Sequence, residues 1–128
     1  MKYLATAAVA LVLLLTFTAA QKDSVKSAKA PISFSKDVKP VLAKKCLDCH
    51  STEDENSNRF YVDSYDLLMK ESKHGVNIVP GKGEESQLIK KMRGTASFGA
   101  RMPKRGKLVP DSMITIISQW IDQGAKNN

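Results

Sequence analysis

The sequence predicts an all-α domain of three to five short helices joined by long loops. Apolar residues recur at helical spacing in four segments, and two of these segments are followed by Gly94 and Gly124. A domain this short and loop-rich buries little apolar surface of its own. We therefore expect a covalent staple or a large buried cofactor to complete its core.

The first two helices are predicted from their caps and their apolar period. The first spans about residues 35–45, with Ser35 or Asp37 as cap and Pro40 near the first turn, where proline is tolerated. The second lies in the segment DSYDLLMK, residues 63–70, with Asp63 or Ser64 as cap.

The last two helices carry clearer end signals. The third spans about residues 84–93, with acidic residues in its first turn, basic residues in its last turn, and Gly94 as its stop. The fourth runs from Pro110 to Gln123, although its segment 114–117 favours a strand by propensity alone. Its predicted buried stripe consists of Met113, Ile116, Ile117, Trp120 and Ile121.

The segment before the domain is predicted to direct export. Residues 1–20 contain one lysine, then an uncharged apolar run that ends in small residues, which is typical of a secretory signal peptide. An uncleaved membrane anchor is the alternative, since the run is about as long as the shortest membrane span. Residues 21–33 are interpreted as a flexible linker and residues 34–126 as the folded domain, in a periplasmic protein.

The charge of the chain favours an acidic partner. The net charge is +7, and removal of residues 1–20, whose only charged residue is Lys2, leaves +6. An exported chain without clustered basic and aromatic residues is not expected to bind nucleic acid. An acidic protein or an anionic membrane surface fits better, the membrane chiefly if the N-terminal segment stays attached, and a merely solvated basic face is the alternative.

The segment KKCLDCHST, residues 44–52, contains both cysteines of the chain, Cys46 and Cys49, followed directly by His50. Four interpretations compete: a covalent haem site, a zinc site, a redox-active dithiol and a local disulfide. Zinc requires four ligands with room for a tetrahedron, and a thioredoxin-like dithiol requires a preceding strand. A disulfide would close a very small loop and would leave His50 without a role. Only haem uses all three residues, as two thioethers and one iron ligand.

A sixth iron ligand is sought among the other methionines and His74. Met69, Met92 and Met113 lie on helical apolar stripes, where methionine usually fills a core. Met102 instead lies in an irregular loop of about fifteen residues, 95–109, a length that is usually functional. We therefore predict that Met102 ligates the iron and that His74 is a surface residue.

From Phe34 to Ala125 the chain resembles the class I c-type cytochromes, and more closely the small cytochrome c modules of planctomycetes and related bacteria. The matching segments are FSKDVKPVLAKKCLDCHS, DSYDLLMK, IVPGKGEESQLIKKM, RMP and ISQWIDQGA. The resemblance implies that long loops wrap one haem c and that the first and last helices cross near Phe34 and Trp120. The chain departs from the pattern at Gly83, often proline in such modules, and at Val109, often a serine or threonine cap.

The resemblance implies an electron carrier rather than an enzyme. One haem would be bound through Cys46 and Cys49, with iron ligated by His50 and Met102. Its partners would be redox proteins, steered by the basic segment MPKRGK, residues 102–107, with the chain acting as a monomer or as a module of a larger redox complex. The alternative is a peroxidase-like enzyme or gas sensor with an open sixth position. The candidates for the carbonyl that accepts a hydrogen bond from His50 Nδ1 are Pro80 and the backbone of residues 51–60.

Overall fold

A computed structural model describes residues 30–54 and 58–128, and these ranges contain four α-helices and no β-strand. The helices are α1 (Lys39–Lys45), α2 (Tyr65–Leu68), α3 (Gln87–Arg93) and α4 (Asp111–Asp122). The predicted all-α class is thus confirmed. No helix in the described part of the chain is long and apolar enough to cross a membrane. The predicted signal peptide, residues 1–20, and residues 21–29 of the predicted linker lie outside the described residues.

The first helix begins earlier than predicted, with a π-helical turn at Phe34–Val38 that runs directly into α1. Its cap is Ser33 rather than Ser35. The Ser33 hydroxyl accepts a hydrogen bond from the Lys36 amide, and the Ser33 amide donates to the Asp37 carboxylate at 2.8 Å. This reciprocal pair satisfies two backbone donors that an uncapped helix start would leave without partners.

Helices α2, α3 and α4 lie where the sequence predicts them, except that α3 begins later. The Ser64 hydroxyl caps α2 by accepting from the Leu67 amide, and Gly94 ends α3 in the left-handed conformation with φ 79°. Helix α3 begins at Gln87 rather than near residue 84, because residues 80–86 form turns. The Ser86 side chain, fully buried, holds these turns by accepting from the Val79 amide and donating to the Lys82 carbonyl.

An aromatic cluster joins the start of the domain to its last helix. The Phe34 ring lies 5.4 Å from the Trp120 ring and 5.3 Å from the Tyr65 ring, measured between centroids. The Trp120 indole donates to the Lys126 carbonyl, and the Tyr65 hydroxyl donates to the Ala125 carbonyl. Phe34 and Trp120 therefore meet as expected, and the polar atoms of both larger rings have partners.

Gly83 marks a close approach between the turn before α3 and helix α4. Its amide donates to the Asp122 carboxylate at 2.7 Å, and a Cβ at this position would overlap the Ser118 hydroxyl and lie 2.5 Å from the Ser118 carbonyl oxygen. Proline would lose the donor and overlap the same atoms. The close packing of residue 83 against α4 therefore favours glycine at this position over the proline that such modules often have.

The buried face of α4 differs from the predicted stripe. Ile117, Trp120 and Ile121 are buried as expected, but Met113 and Ile116 are each 39% exposed. Ile114, which the predicted stripe omitted, is fully buried. The helical period is preserved, and the buried face is turned toward Ile114, so that Met113 and Ile116 lie at its edge.

The folded unit extends beyond the predicted boundaries at 34 and 126. The Gln123 side chain accepts from the Ile32 amide and donates to the Ala30 carbonyl. The Asn128 side chain accepts from the Phe34 amide at 2.8 Å. The last residues of the predicted linker therefore pack against the C-terminal segment.

Candidate functional site

The segment that contains both cysteines is a compact turn at the end of α1. The Cys46 amide donates to the Leu42 carbonyl at 2.8 Å, which is the last hydrogen bond of helix α1. A 3₁₀ turn at Leu47–Cys49 follows, in which the Cys49 amide donates to the Cys46 carbonyl and the His50 amide donates to the Leu47 carbonyl. This turn brings Cys46, Cys49 and His50 together at one end of the helix.

The two cysteines are thiols in different environments. Cys46 is partly buried against the core, whereas Cys49 is exposed. Burial, followed by the proximity of Cys49, raises the pKa of the Cys46 thiol to about 11, and nearby Lys45 opposes this shift. A thiol that remains protonated at neutral pH is a poor redox nucleophile, which argues against a thioredoxin-like dithiol. The described residues also contain no group of three or more metal-binding side chains, so a zinc site is not supported.

The His50 ring is oriented by Phe60. His50 Nδ1 lies 3.0 Å from the Phe60 carbonyl oxygen, and because a carbonyl only accepts, Nδ1 must carry the proton. This tautomer has its lone pair on Nε2, the atom that would ligate iron. The Phe60 ring also contacts the imidazole edge to face at 5.1 Å between centroids. The acceptor thus lies within the predicted segment 51–60 and is not Pro80.

The backbone around His50 is held by a second set of contacts. The His50 carbonyl accepts from the Val62 amide at 2.9 Å. The Thr52 amide donates to both oxygens of the Asp63 carboxylate, at 3.0 and 3.1 Å, and lowers the pKa of Asp63. Sequence reasoning considered Asp63 only as a helix cap and missed this role, since the contact joins residues eleven positions apart. The segment on both sides of His50 is therefore fixed against residues 60–63.

The loop that carries Met102 is attached to the end of α3 by several hydrogen bonds. The Met102 amide donates to the Lys91 carbonyl at 2.9 Å, and Arg101 Nε donates to the Met92 carbonyl at 2.7 Å. Lys91 Nζ donates to the Phe98 carbonyl at 2.7 Å. The loop is therefore held to α3 by hydrogen bonds that do not depend on the Met102 sulfur.

Phe98 adds an aromatic contact to the same loop. Lys91 Nζ lies 4.6 Å from the centre of the Phe98 ring, and the His74 ring stacks on Phe98 at 4.3 Å between centroids. Burial, and then the nearby Lys104 charge, lower the pKa of Lys91. His74 is exposed, in agreement with its predicted place at the surface.

The four candidate methionines differ in how deeply they are buried. Met92 is buried and Met69 packs against the core, as predicted for core residues, whereas Met113 is exposed. Met102 is partly buried. Its loop is joined to the CxxCH segment through Lys45, whose Nζ donates to the Lys107 carbonyl at 3.3 Å.

Residues 46–106 match the family model described as Planctomycete cytochrome C. The match begins at Cys46, includes His50 and Met102, and covers just under half of the chain. No curated protein and no solved structure gives a significant match. The match supports the family resemblance seen in the sequence, which is to a cytochrome c module of the planctomycete type.

The residues at this site fit the haem c that such a module implies. Cys46, Cys49 and His50 belong to one short segment at the end of α1, and the Phe60 carbonyl selects the His50 tautomer needed for ligation through Nε2. Leu47 and Phe60, both partly buried against the core, provide apolar surface in the same segment. The donor atoms suit covalent haem better than they suit zinc.

Proposed function

We propose that this protein is an exported monohaem c-type cytochrome that passes single electrons between redox partners. The cytochrome c module itself indicates haem-based electron transfer. The observation that best supports an iron site at His50 is the hydrogen bond from its Nδ1 to the Phe60 carbonyl, which presets the ligating nitrogen. Orientation of a histidine by a carbonyl acceptor is a recurrent feature of metal ligation.

In this proposal Cys46 and Cys49 hold the haem covalently. The Cys46 and Cys49 thiols would hold the haem through thioether bonds, one to each vinyl group, with each thiol proton going to the other vinyl carbon. No oxidant or reductant is consumed in this addition. The high pKa of Cys46, about 11, means that this residue is present as the neutral thiol rather than the thiolate at neutral pH. When bound, the haem supplies a reversible one-electron change at iron.

The protein residues then fix the coordination of the iron. His50 is held in one orientation by Phe60, and the backbone contacts of residues 50–52 to residues 60–63 limit its movement. Met102 would provide the second protein ligand to the iron, and its backbone is anchored to the Lys91 carbonyl. A thioether ligand favours ferrous iron and raises the potential, which suits a carrier. A closed sixth position also excludes exogenous molecules, unlike the open site of a peroxidase-like enzyme or gas sensor.

The proposed location is the periplasm, reached through cleavage of residues 1–20. The mature chain would begin near Gln21. The uncharged run and small residues before Gln21 support this proposal. An N-terminal sequence that still begins at Met1 would instead indicate a membrane-tethered carrier.

Covalent attachment is tested by mass spectrometry of the denatured protein, produced in a host with a c-type cytochrome maturation system. The mature chain should carry the mass of one haem. Removal of both thiols, as Cys46→Ala together with Cys49→Ala, should leave haem that extracts into acidified organic solvent. Ser51→Ala, a neighbouring control, should retain covalent haem. Extraction of haem from the wild-type protein, or purification with zinc instead of haem, would contradict the proposal.

A further inference from the structure

Arg59 has a left-handed backbone conformation in the segment that contacts His50. Its φ is 54°, and among the described residues other than glycine only Ala125 also has a positive φ. Ala125 lies just after helix α4, where left-handed residues commonly follow the end of a helix. Arg59 lies within a loop and has no such role. A side chain makes this conformation unfavourable, so it persists only where the surrounding structure holds it in place.

The residues on both sides of Arg59 are fixed by hydrogen bonds. On one side, the Asn58 carbonyl accepts from the Lys73 amide at 2.8 Å. On the other side, the Phe60 carbonyl lies 3.0 Å from His50 Nδ1, which donates to it. Arg59 is the single residue between Asn58 and Phe60, and a change in its φ would rotate Phe60 relative to Asn58. Both hydrogen bonds therefore depend on the backbone conformation of residue 59.

Burial of the Arg59 side chain does not explain its conformation. This side chain is exposed, whereas Phe60 packs against the core and its ring contacts the His50 ring. Two residues further on, the Val62 amide donates to the His50 carbonyl at 2.9 Å. The chain after Arg59 is thus held to His50 at two residues. We therefore attribute the strained backbone to the position that Phe60 occupies beside His50.

We propose that residue 59 is a positioning residue for the iron ligand His50, and that it acts through its left-handed backbone rather than through its charge. The proposal rests on the proposed function. In this conformation residue 59 directs the Phe60 carbonyl to His50 Nδ1, and that hydrogen bond makes the imidazole a stronger donor to iron. A stronger donor favours ferric iron and lowers the potential, whereas the Met102 thioether acts in the opposite direction. The backbone at residue 59 thereby contributes to setting the potential of the carrier.

Two substitutions of equal charge separate the backbone of residue 59 from its side chain. Arg59→Gly removes the guanidinium and allows a left-handed backbone without steric cost. Arg59→Val removes the same charge, but a β-branched residue is strongly disfavoured at positive φ. Both variants are made in the full-length chain and produced with haem. A difference between them therefore reports the backbone conformation of residue 59 and not the loss of its charge.

The measured quantities are the rate at which the His50 Nδ1 proton exchanges with solvent, followed by NMR in the reduced protein, and the reduction potential from voltammetry. In Arg59→Gly the exchange rate should match that of the wild-type protein. In Arg59→Val we expect exchange about tenfold faster, because the unfavourable left-handed conformation then favours breaking the hydrogen bond. The potential of Arg59→Val should also be more positive than that of Arg59→Gly, since the imidazole loses donor strength. A purely structural role would lower the urea midpoint of unfolding and leave the potential unchanged.

The control is Lys70→Gly paired with Lys70→Val, since Lys70 is also basic and exposed but does not have a positive φ. Neither the exchange rate nor the potential should differ within that pair. If Arg59→Val yields no haem protein, Arg59→Ala takes its place and should show the same changes in weaker form. Equal exchange rates and equal potentials in the two residue 59 variants would overturn the proposal. Faster exchange in Arg59→Gly than in the wild-type protein would also overturn it, because the role would then belong to the guanidinium. Wild-type protein without covalent haem would instead overturn the proposed function, and this proposal with it.

Discussion

The helical crossing and the Met102 loop, residues 95–109, are held in place by different interactions. At the crossing, Phe34 and Trp120 are 5% and 1% exposed and pack ring against ring. In the loop, Phe98 is only partly buried, and the main contacts are hydrogen bonds to backbone carbonyls of α3. Apolar burial therefore dominates the crossing, and polar contacts dominate the loop.

This difference bears on how an iron site could be built here. The crossing holds its shape through side-chain packing, so α1 delivers Cys46 and His50 to a fixed place. Of residues 95–109, Val109 alone belongs to the buried core, and regions with few buried apolar contacts open at lower free-energy cost. We therefore expect the His50 side of the site to be well formed before haem binds, and the Met102 side to depend more on the iron itself.

The largest expected effect is at the crossing. Trp120→Ala would remove a nearly fully buried indole and its hydrogen bond to the Lys126 carbonyl, and it should lower the free energy of unfolding by about 3–5 kcal/mol. Urea unfolding of the haem-loaded protein measures this change. Trp120→Phe, which keeps most of the apolar volume, should cost clearly less. Similar losses in both variants would mean that burial does not dominate here.

A smaller effect is expected from Gly83→Ala, because the added Cβ would meet a backbone carbonyl of α4. Overpacking of this kind typically costs about 1–3 kcal/mol of unfolding free energy. Adding Ser118→Ala should not restore stability, since the Ser118 carbonyl oxygen remains in place and the hydroxyl bond to Glu84 is lost. A neutral Gly83→Ala variant would show that this approach is looser than the structure indicates.

In the Met102 loop, Lys91→Met would keep the side-chain stem and remove the hydrogen bond to the Phe98 carbonyl. We expect a loss of about 0.5–1.5 kcal/mol, together with faster hydrogen exchange of loop amides while the amides of α4 stay protected. Lys90→Met, one residue earlier on the same helix, is the control. Faster exchange at α4 and in the loop alike would contradict the separation of the two regions.

The smallest expected effect concerns Glu84, which pairs with Arg93 at 2.8 Å and accepts from the Ser118 hydroxyl. The Arg93 hydrogen bond, together with that of Ser118, lowers the pKa of Glu84 below its ordinary 4.5. Its stabilising contribution is therefore complete above that value and is lost as pH falls through the lowered pKa. Since Glu84 is mostly exposed, Glu84→Gln should cost about 0.5–1 kcal/mol at pH 7, and the two proteins should become equally stable in strong acid. A difference that persists in acid would point to another cause.

Local signals predicted much of the helical framework. Gly94 and Pro110 mark real helix ends, Ser64 caps α2, and Phe34 meets Trp120. These features depend on the conformational preferences of single residues or on a family pattern. The burial of Ile114 in place of Met113 and Ile116 was not predictable. Helical spacing shows that α4 has an apolar face, but it does not show which edge of that face the rest of the domain covers.

The candidate ligands could be proposed from the sequence, whereas the residues that hold them in place could not. The spacing of Cys46, Cys49 and His50 singles these residues out, and the range matched by the family model includes all three. The Phe60 carbonyl and the Asp63 carboxylate could not be singled out, because both contacts join residues ten or more positions apart across a loop. The need for glycine at position 83 was missed for the same reason, since it arises from contact with α4.

The central claim is that the iron is held by His50 and Met102 and is closed to other molecules. Carbon monoxide binding to the reduced protein tests this most directly, with the far-red sulfur-to-iron band of the oxidised protein as a second readout. We expect wild type and Met113→Ala to show the band and to bind no carbon monoxide, and Met102→Ala to lose the band and bind it. Ready binding by the wild-type protein, or loss of the sixth ligand in His74→Ala but not in Met102→Ala, would contradict the account.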